Sequence, residues 1–205
     1  GEGLVRGSVQ GTLDSPRVVG AAQALNGCVS WARAADGALI PASLSRPGQP
    51  SVVYFDSAQA RFEYHDRVIS LADAELRRGP GRVRVLPVWV PQGMALAPFV
   101  GFEDDGTVRF GMGLEAQDLP AGEVSQVLGI AEATQVDGLL SLERGMVAGQ
   151  AQDYQFAGEV RLADATMHGY GVEYASAAVL TQGDDLVIED FSARVEETRV
   201  DGEGR

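Results

Sequence analysis

The stretch "GEVRLADATM", residues 158–167, decides the fold class. Val160 and Leu162 fall on one side of an extended chain while Glu159, Arg161 and Ala163 fall on the other, the two-residue alternation of a strand with one apolar and one wet face. Its punctuation agrees. "AQDY" before it and "HGYG" after it carry the Asp and Gly residues that tight turns use. Strands of this kind belong to antiparallel sheets, where one face is packed and the other solvated.

Working outward, strand-like runs fill most of the chain: 4–13, 17–25, 28–34, 51–64, 67–76, 82–90, 95–103 and 107–117, then 139–149, 156–167, 172–182 and 186–196. "LDSP", "ADG", "RPGQP", "YHDR", "RGPG", "EDDG" and "QGDD" separate them. The period changes once. In "DLPAGEVSQVLGIAEA" the apolar residues Val124, Val127, Leu128 and Ala131 are spaced for a short amphipathic helix near 120–131, weakened by Gly129. The closing "VDGEGR" reads as a polar turn. The expected class is therefore mainly β with a single short helix, and strands with one apolar and one wet face ordinarily mean a sandwich or barrel half buried against a second sheet.

Composition narrows the function. The 205 residues are 45% hydrophobic, ordinary for a folded protein, yet only 7% aromatic with 26 glycines, which suits many strands and turns better than a thick core. The net charge is −13, and all 16 basic residues are arginine. No basic stripe of the kind that binds nucleic acid is present. "RRGPGRVR", 77–84, reads as a solvated hairpin rim, with a phosphate or lipid-headgroup contact as the alternative. Cys28 is alone, so no internal disulfide forms, and it reads as a small buried or half-buried residue. No apolar run approaches the ~18 residues of a membrane-spanning helix, and no signal peptide opens the chain. A start without methionine reads as a piece of something longer, with targeting elements outside it.

Catalytic chemistry is not visible. His65 and His168 stand in turns without a second ligand at metal spacing, and Ser30, Ser125 and Ser141 have no triad partners or G-x-S-x-G frame. The acidic pairs Asp104–Asp105, Asp184–Asp185 and Glu196–Glu197 sit in turns, where carboxylates are solvated. The expectation is a protein with no enzyme activity, no cofactor and no metal. An internal echo is visible instead: Gly149 and Gly158 repeat the frame of Gly11 and Gly20, and "RVISLADAEL" lies over "LVIEDFSARV". On that basis residues 1–113 form a first strand unit with a longer middle, and 114–205 a helix and a second strand unit, within one continuous sheet.

The order "DLPAGEVSQVLG…VDGLLSLERGMVAGQAQDYQFAGEVRLADATMHGYGVEYASAAVLTQGDDLVIEDFSARV", with "GSVQGTLDSPRVVGAAQALNG" near the start, resembles the TamB and AsmA-like envelope proteins, relatives of the bridge-like lipid-transfer proteins. The likeness covers residues 5–34 and 114–195, and 35–113 fits only as further strands. It departs at Tyr154, where the family often has proline, and in the long "LIPASLSRPGQP".

That resemblance implies an elongated, curved antiparallel sheet, a U-shaped β-taco trough lined with aliphatic side chains. It implies carriage of phospholipid acyl chains between inner and outer membranes, or help in outer-membrane protein assembly, as in a translocation and assembly module. The location implied is the periplasm, with an inner-membrane anchor and an Omp85-type β-barrel partner reached through other parts of the parent chain. Candidate groove residues are Val18, Leu140, Leu142, Val160, Leu162, Val179, Leu186, Ile188 and Val195. Two rival readings stand beside it: a structural or adhesive β-solenoid or sandwich module with a closed core, and a carbohydrate-active β enzyme, which needs two carboxyls facing across a cleft.

Overall fold

The computed structural model describes residues 1–12, 15–33, 39–41, 51–89, 95–127, 136–150, 153–167, 169–182 and 185–204. Strands β1 (Glu2–Gly11), β2 (Pro16–Arg33), β3 (Leu39–Pro41), β4 (Ser51–His65), β5 (Val68–Arg78), β6 (Gly81–Leu86), β7 (Val88–Trp89), β8 (Ala95–Leu96), β9 (Phe99–Phe102) and β10 (Val108–Pro120) lead to the helix α1 (Ala121–Val127). After α1 come β11 (Val136–Gln150), β12 (Asp153–Met167), β13 (Tyr170–Gln182), β14 (Asp185–Val195) and β15 (Thr198–Gly204).

Thirteen strands form one sheet, with the path β1-β2-β4-β5-β6-β10-β11-β12-β13-β14-β15 and with β3 and β9 attached to it. Every pairing is antiparallel, from β1 on β2 to β14 on β15. Where consecutive strands are joined by short turns the order follows, because a tight turn can only lay a strand beside the one before it, whereas β2–β4, β6–β10 and β10–β11 meet across longer connections. The division expected between residues 113 and 114 falls inside β10, which is paired on both sides.

Three local expectations are corrected. The runs 17–25 and 28–34, read as two strands, fall as far as Arg33 within the single 18-residue β2, which passes through Asn26 in left-handed conformation (φ 49) without losing register on β4. Asparagine tolerates that conformation, so Asn-Gly here is a feature within a strand and not a turn. Cys28 is exposed, because it stands on a sheet face that nothing among the described residues covers. The closing "VDGEGR" is mostly strand: β15 pairs with β14 from Thr198 to Gly204. The helix occupies Ala121–Val127, and 128–131 lie outside the described residues.

The place between β5 and β10 is filled by two short strands in line. β6 pairs with Glu75–Arg78 and with Gly113–Gln117, while β9 pairs with Val68–Ser70 and with Val108–Gly111. The chain between them leaves the sheet and carries the small β7–β8 pair. It leaves on the side of Gly113 and Gly111: a Cβ at Gly113 would stand 3.0 Å from the Pro87 carbonyl oxygen, and one at Gly111 would meet the Phe99 ring at 2.8 Å.

Non-glycine residues with positive φ interrupt several strands: Asp73 (φ 50), Asp118 (φ 53), Arg144 (φ 51), Asp164 (φ 49) and Asp190 (φ 48). Each accompanies a register shift in the ladders of its strand, the signature of a β-bulge, which bends the strand and increases its twist. Two of them stand in the same tetrapeptide. Leu71-Ala72-Asp73-Ala74 and Leu162-Ala163-Asp164-Ala165 both place Asp in the left-handed region and bury the Ala that follows.

A positive-φ glycine closes the β11–β12 hairpin. Gly149 (φ 138) lies opposite Tyr154, and a Cβ there would stand 2.4 Å from the Asp153 carbonyl oxygen. Gly149→Ala is expected to lower stability by about 1–3 kcal/mol, since both the backbone and the contact oppose it. Gly171→Ala, which meets open space, is expected to change it by less than about 0.5 kcal/mol. Urea denaturation followed by circular dichroism measures both.

Candidate functional site

Residues directly opposite one another in a ladder point to the same face, so the pairings sort the side chains into two sides. One row runs through Ala24, Ala58, Leu76, Val83, Ala116, Leu142, Val160 and Ala177. A second runs through Val9, Val18, Tyr64, Ile69, Val100, Phe110, Gly149 and Tyr154. A third follows Leu119, Leu140, Leu162, Ala175, Ala193 and Val200. None of these rows contains a charged residue.

The opposite face carries most of the ions; on the apolar side Asp56 and Arg78, in phase with Ala58 and Leu76, stand at one end of β4 and β5, where Asp56 accepts from the Gly79 N–H and Arg78 pairs with Glu123. On the charged face Glu75, Arg84 and Glu115 stand side by side on three strands, and Ser141, Arg161, Ser176, Ser192 and Asp201 on five. Arg17 pairs with Glu63 at 2.8 Å, Arg161 with Glu143 at 2.6 Å, Arg144 with Glu159 at 3.1 Å and Arg84 with Glu115 at 3.4 Å. Arg61 pairs with Asp73. These are exposed pairs, which keep the face soluble and orderly and contribute little to stability. Even the bulged Arg144 and Asp73 turn their charges to partners on this side.

All the groove candidates with described side chains meet on the uncharged side. Val18, Leu140, Leu142, Val160, Leu162, Val179, Ile188 and Val195 are each half-buried. Val179 lies opposite Ile188 and Gly158, Val195 opposite Val172, and position 186 opposite Thr181. Reading one strand at a time missed Phe62, Leu71, Leu76, Val83, Val85, Met112, Leu114 and Phe156, which register adds to the same side. Alternation in "RVRVL" marked the first valines, but which face they joined depended on β5 and β10.

No second layer covers these rows among the described residues. The buried apolar side chains are Phe55 and the small Ala74, Ala116, Ala121, Ala165, Val172 and Ala193, and no large side chain is fully enclosed. The chain exposes 13786 Å² of surface, whereas a compact chain of 21.6 kDa exposes about 9,200 Å². Val5, Val9, Tyr54, Tyr154 and Val200 stand open to solvent. Large side chains lie along the sheet: the Phe62 ring occupies the space over Gly20, 2.8 Å from where a Cβ would be.

The helix α1 marks the rim where β5, β6 and β10 end. It packs on β11, β10 and β4, with Ala121 buried. Glu123 on α1 pairs with Arg78, whose guanidinium stands 5.7 Å from the Tyr54 ring centre. The arginines of the β5–β6 hairpin are engaged: Arg77 with Glu75, Arg82 with Gln117 at 2.7 Å, Arg84 with Glu115. At the other rim His65 faces Asp66 at 3.1 Å and Asp104 pairs with Arg67, while His168 and Asp184 lie outside the described residues.

A shallow hollow of about 400 Å³ lies mainly on the charged face, among Leu4, Arg6, Ala21, Gln23, Gln59 and Arg61. What marks the apolar face is chemical continuity over many strands. Among the described residues no group of three side chains could hold a metal ion, and no helix is long and apolar enough to cross a membrane. Comparison with family models, curated proteins and solved structures returns no match.

Three exposed carboxyls are held below their usual range: Glu63 by the hydrogen bond from Arg17, Asp105 by Thr107, and Asp201 by Ser192 and then Arg199. A carboxylate depressed in the folded state contributes stability above its unfolded-state pKa, about 4, and loses it as the pH falls through the folded value. The melting temperature is expected to fall on acidification below about pH 4. Glu63→Gln is expected to flatten that fall slightly, and thermal melts across the acid range measure it.

Proposed function

We propose that the uncharged face is a track for lipid acyl chains, and that the chain is a segment of a periplasmic carrier of the TamB and AsmA-like kind. One observation carries the reading: rows of aliphatic and aromatic side chains cross eight strands without a charge, and nothing among the described residues covers them. The bulged strands give the sheet means to curl, which would make the track a trough.

The physical logic is a lowered barrier. Each methylene moved into water costs ~0.8 kcal/mol, so an acyl chain meeting water faces a penalty on the order of 10 kcal/mol. Along an apolar face that penalty is largely removed at every position. Exchange is then nearly neutral for the tail, and the lipid moves along the sheet instead of being held at one point. The charged face carries the same segment through water. In the parent protein this track would link inner and outer membranes, with an Omp85-type barrel as the outer partner and phospholipid as cargo.

Native mass spectrometry of the purified chain is expected to show co-purified phospholipid. Leu162→Glu and Ile188→Glu, each placing a charge in the apolar rows, are expected to abolish it while the far-ultraviolet β signal persists. Ser176→Glu, opposite Arg161 on the charged face, is expected to retain it. Absence of lipid from the unsubstituted chain, or its retention in both apolar-face variants, would refute the assignment.

A further inference from the structure

The apolar side carries a charged cluster where β4 begins and β5 ends. Arg78 stands in phase with the apolar rows, next after Leu76 on β5, and Asp56 precedes Ala58 in the same way on β4. The helix α1 brings Glu123 onto this side, where Arg78 donates to both carboxylate oxygens, through Nη2 at 2.7 Å and through Nε. Asp56 accepts from the Gly79 N–H at 2.6 Å, and the Tyr54 ring centre lies 5.7 Å from the guanidinium. Arg77 and Arg82 of the same hairpin are out of phase with Arg78 and stand on the charged face.

This cluster is bonded but not saturated. A guanidinium has five N–H groups and Glu123 takes two, so Arg78 keeps donors for a further oxygen acceptor. Both carboxylates keep lone pairs, and Tyr54 is 58% exposed, with ring surface open to a cation. Asp56 and Glu123 against Arg78 leave one negative charge in excess, a balance that disfavours a purely anionic ligand. A phosphate joined to an ammonium is matched at both ends: the phosphate by the guanidinium, the ammonium by the carboxylates and the ring.

We infer that this cluster seats the headgroup of a zwitterionic phospholipid whose tails lie on the apolar face. Such a seat serves only a face that carries acyl chains, so it rests on that reading, and it adds the class of lipid and the direction in which the molecule lies. Beyond Asp56 and Arg78 the paired strands offer a lane without charge, through Ala58 and Leu76, Phe62 and Leu71, then Tyr64 and Ile69. At ~3.3 Å per residue the lane from Arg78 to Ile69 runs roughly 30 Å. One tail spans only half of the ~30 Å hydrocarbon core of a bilayer. A headgroup held at the cluster therefore leaves its tails wholly on apolar side chains.

Headgroup competition tests the seat separately from the track. The unsubstituted chain is incubated with vesicles holding equal amounts of phosphatidylethanolamine and phosphatidylglycerol with identical acyl chains, and bound lipid is read by native mass spectrometry. Phosphatidylethanolamine is expected to be preferred about tenfold. Arg78→Gln is expected to lower its binding about tenfold, while a long-chain alcohol of the same tail length, which has no phosphate, binds as before. Glu123→Gln, which keeps the shape and loses the charge, is expected to shift the bound ratio towards phosphatidylglycerol. A parent chain indifferent to the headgroup, or favouring phosphatidylglycerol, overturns the seat and leaves the track. So do variants that keep the parent ratio, or an Arg78→Gln chain that loses the alcohol equally. Absence of any lipid from the unsubstituted chain removes the track and the seat with it.

Discussion

The structure depends on lateral packing within one sheet. Each strand is held by hydrogen bonds and side-chain contacts to its two neighbours, because nothing among the described residues lies above or below the apolar rows. This explains why the buried set is mostly alanine and why glycines are interspersed. Where a long side chain occurs it lies along the sheet: Phe62 over Gly20 covers the neighbouring strand as a second layer would otherwise do. Lateral cover leaves Leu140, Leu142, Leu162 and Ile188 half-buried. Apolar surface left in that state is what a lipid tail, or any other apolar partner, would complete.

Charge segregation follows from the same constraint. A strand exposes alternate residues to opposite sides, so the rows of one side can be kept free of ions only if every strand holds its phase relative to its neighbours. The bulges shift that phase at Asp73, Asp118, Arg144, Asp164 and Asp190, and the apolar rows continue across them. An aspartate suits the bulge because its short side chain tolerates the left-handed conformation and is solvated on the charged side. The repeated Leu-Ala-Asp-Ala shows the device twice, in β5 and in β12.

Much of the fold was legible because its information is local. Alternation marked the strands, Gly, Asp and Pro marked the hairpins, and Pro120 with the changed period marked α1. The errors came where a local signal has two structural outcomes. Asn26-Gly27 has turn chemistry yet lies inside β2, since β4 offers a ladder on both sides of it. "VDGEGR" has turn composition yet pairs with β14. The two runs at 82–90 and 95–103 read as full strands, whereas only β6 and β9 remain in the main sheet, each filling part of one gap between β5 and β10. The bulges at Asp73 and Asp164 went unread, although the tetrapeptide they share was present to be compared.

The sequence by itself determined the strand class and, between bulges, which residues of a strand share a side. Those properties follow from backbone geometry and side-chain chemistry within a few residues. Only the tertiary structure decided that Val18, Leu76, Leu142, Val160 and Ile188 face the same way on five different strands. It also decided that β1 lies beside β2 alone among the described residues. Both are matters of register and neighbour order, set by contacts between residues far apart in the chain, which alternation within one strand cannot encode.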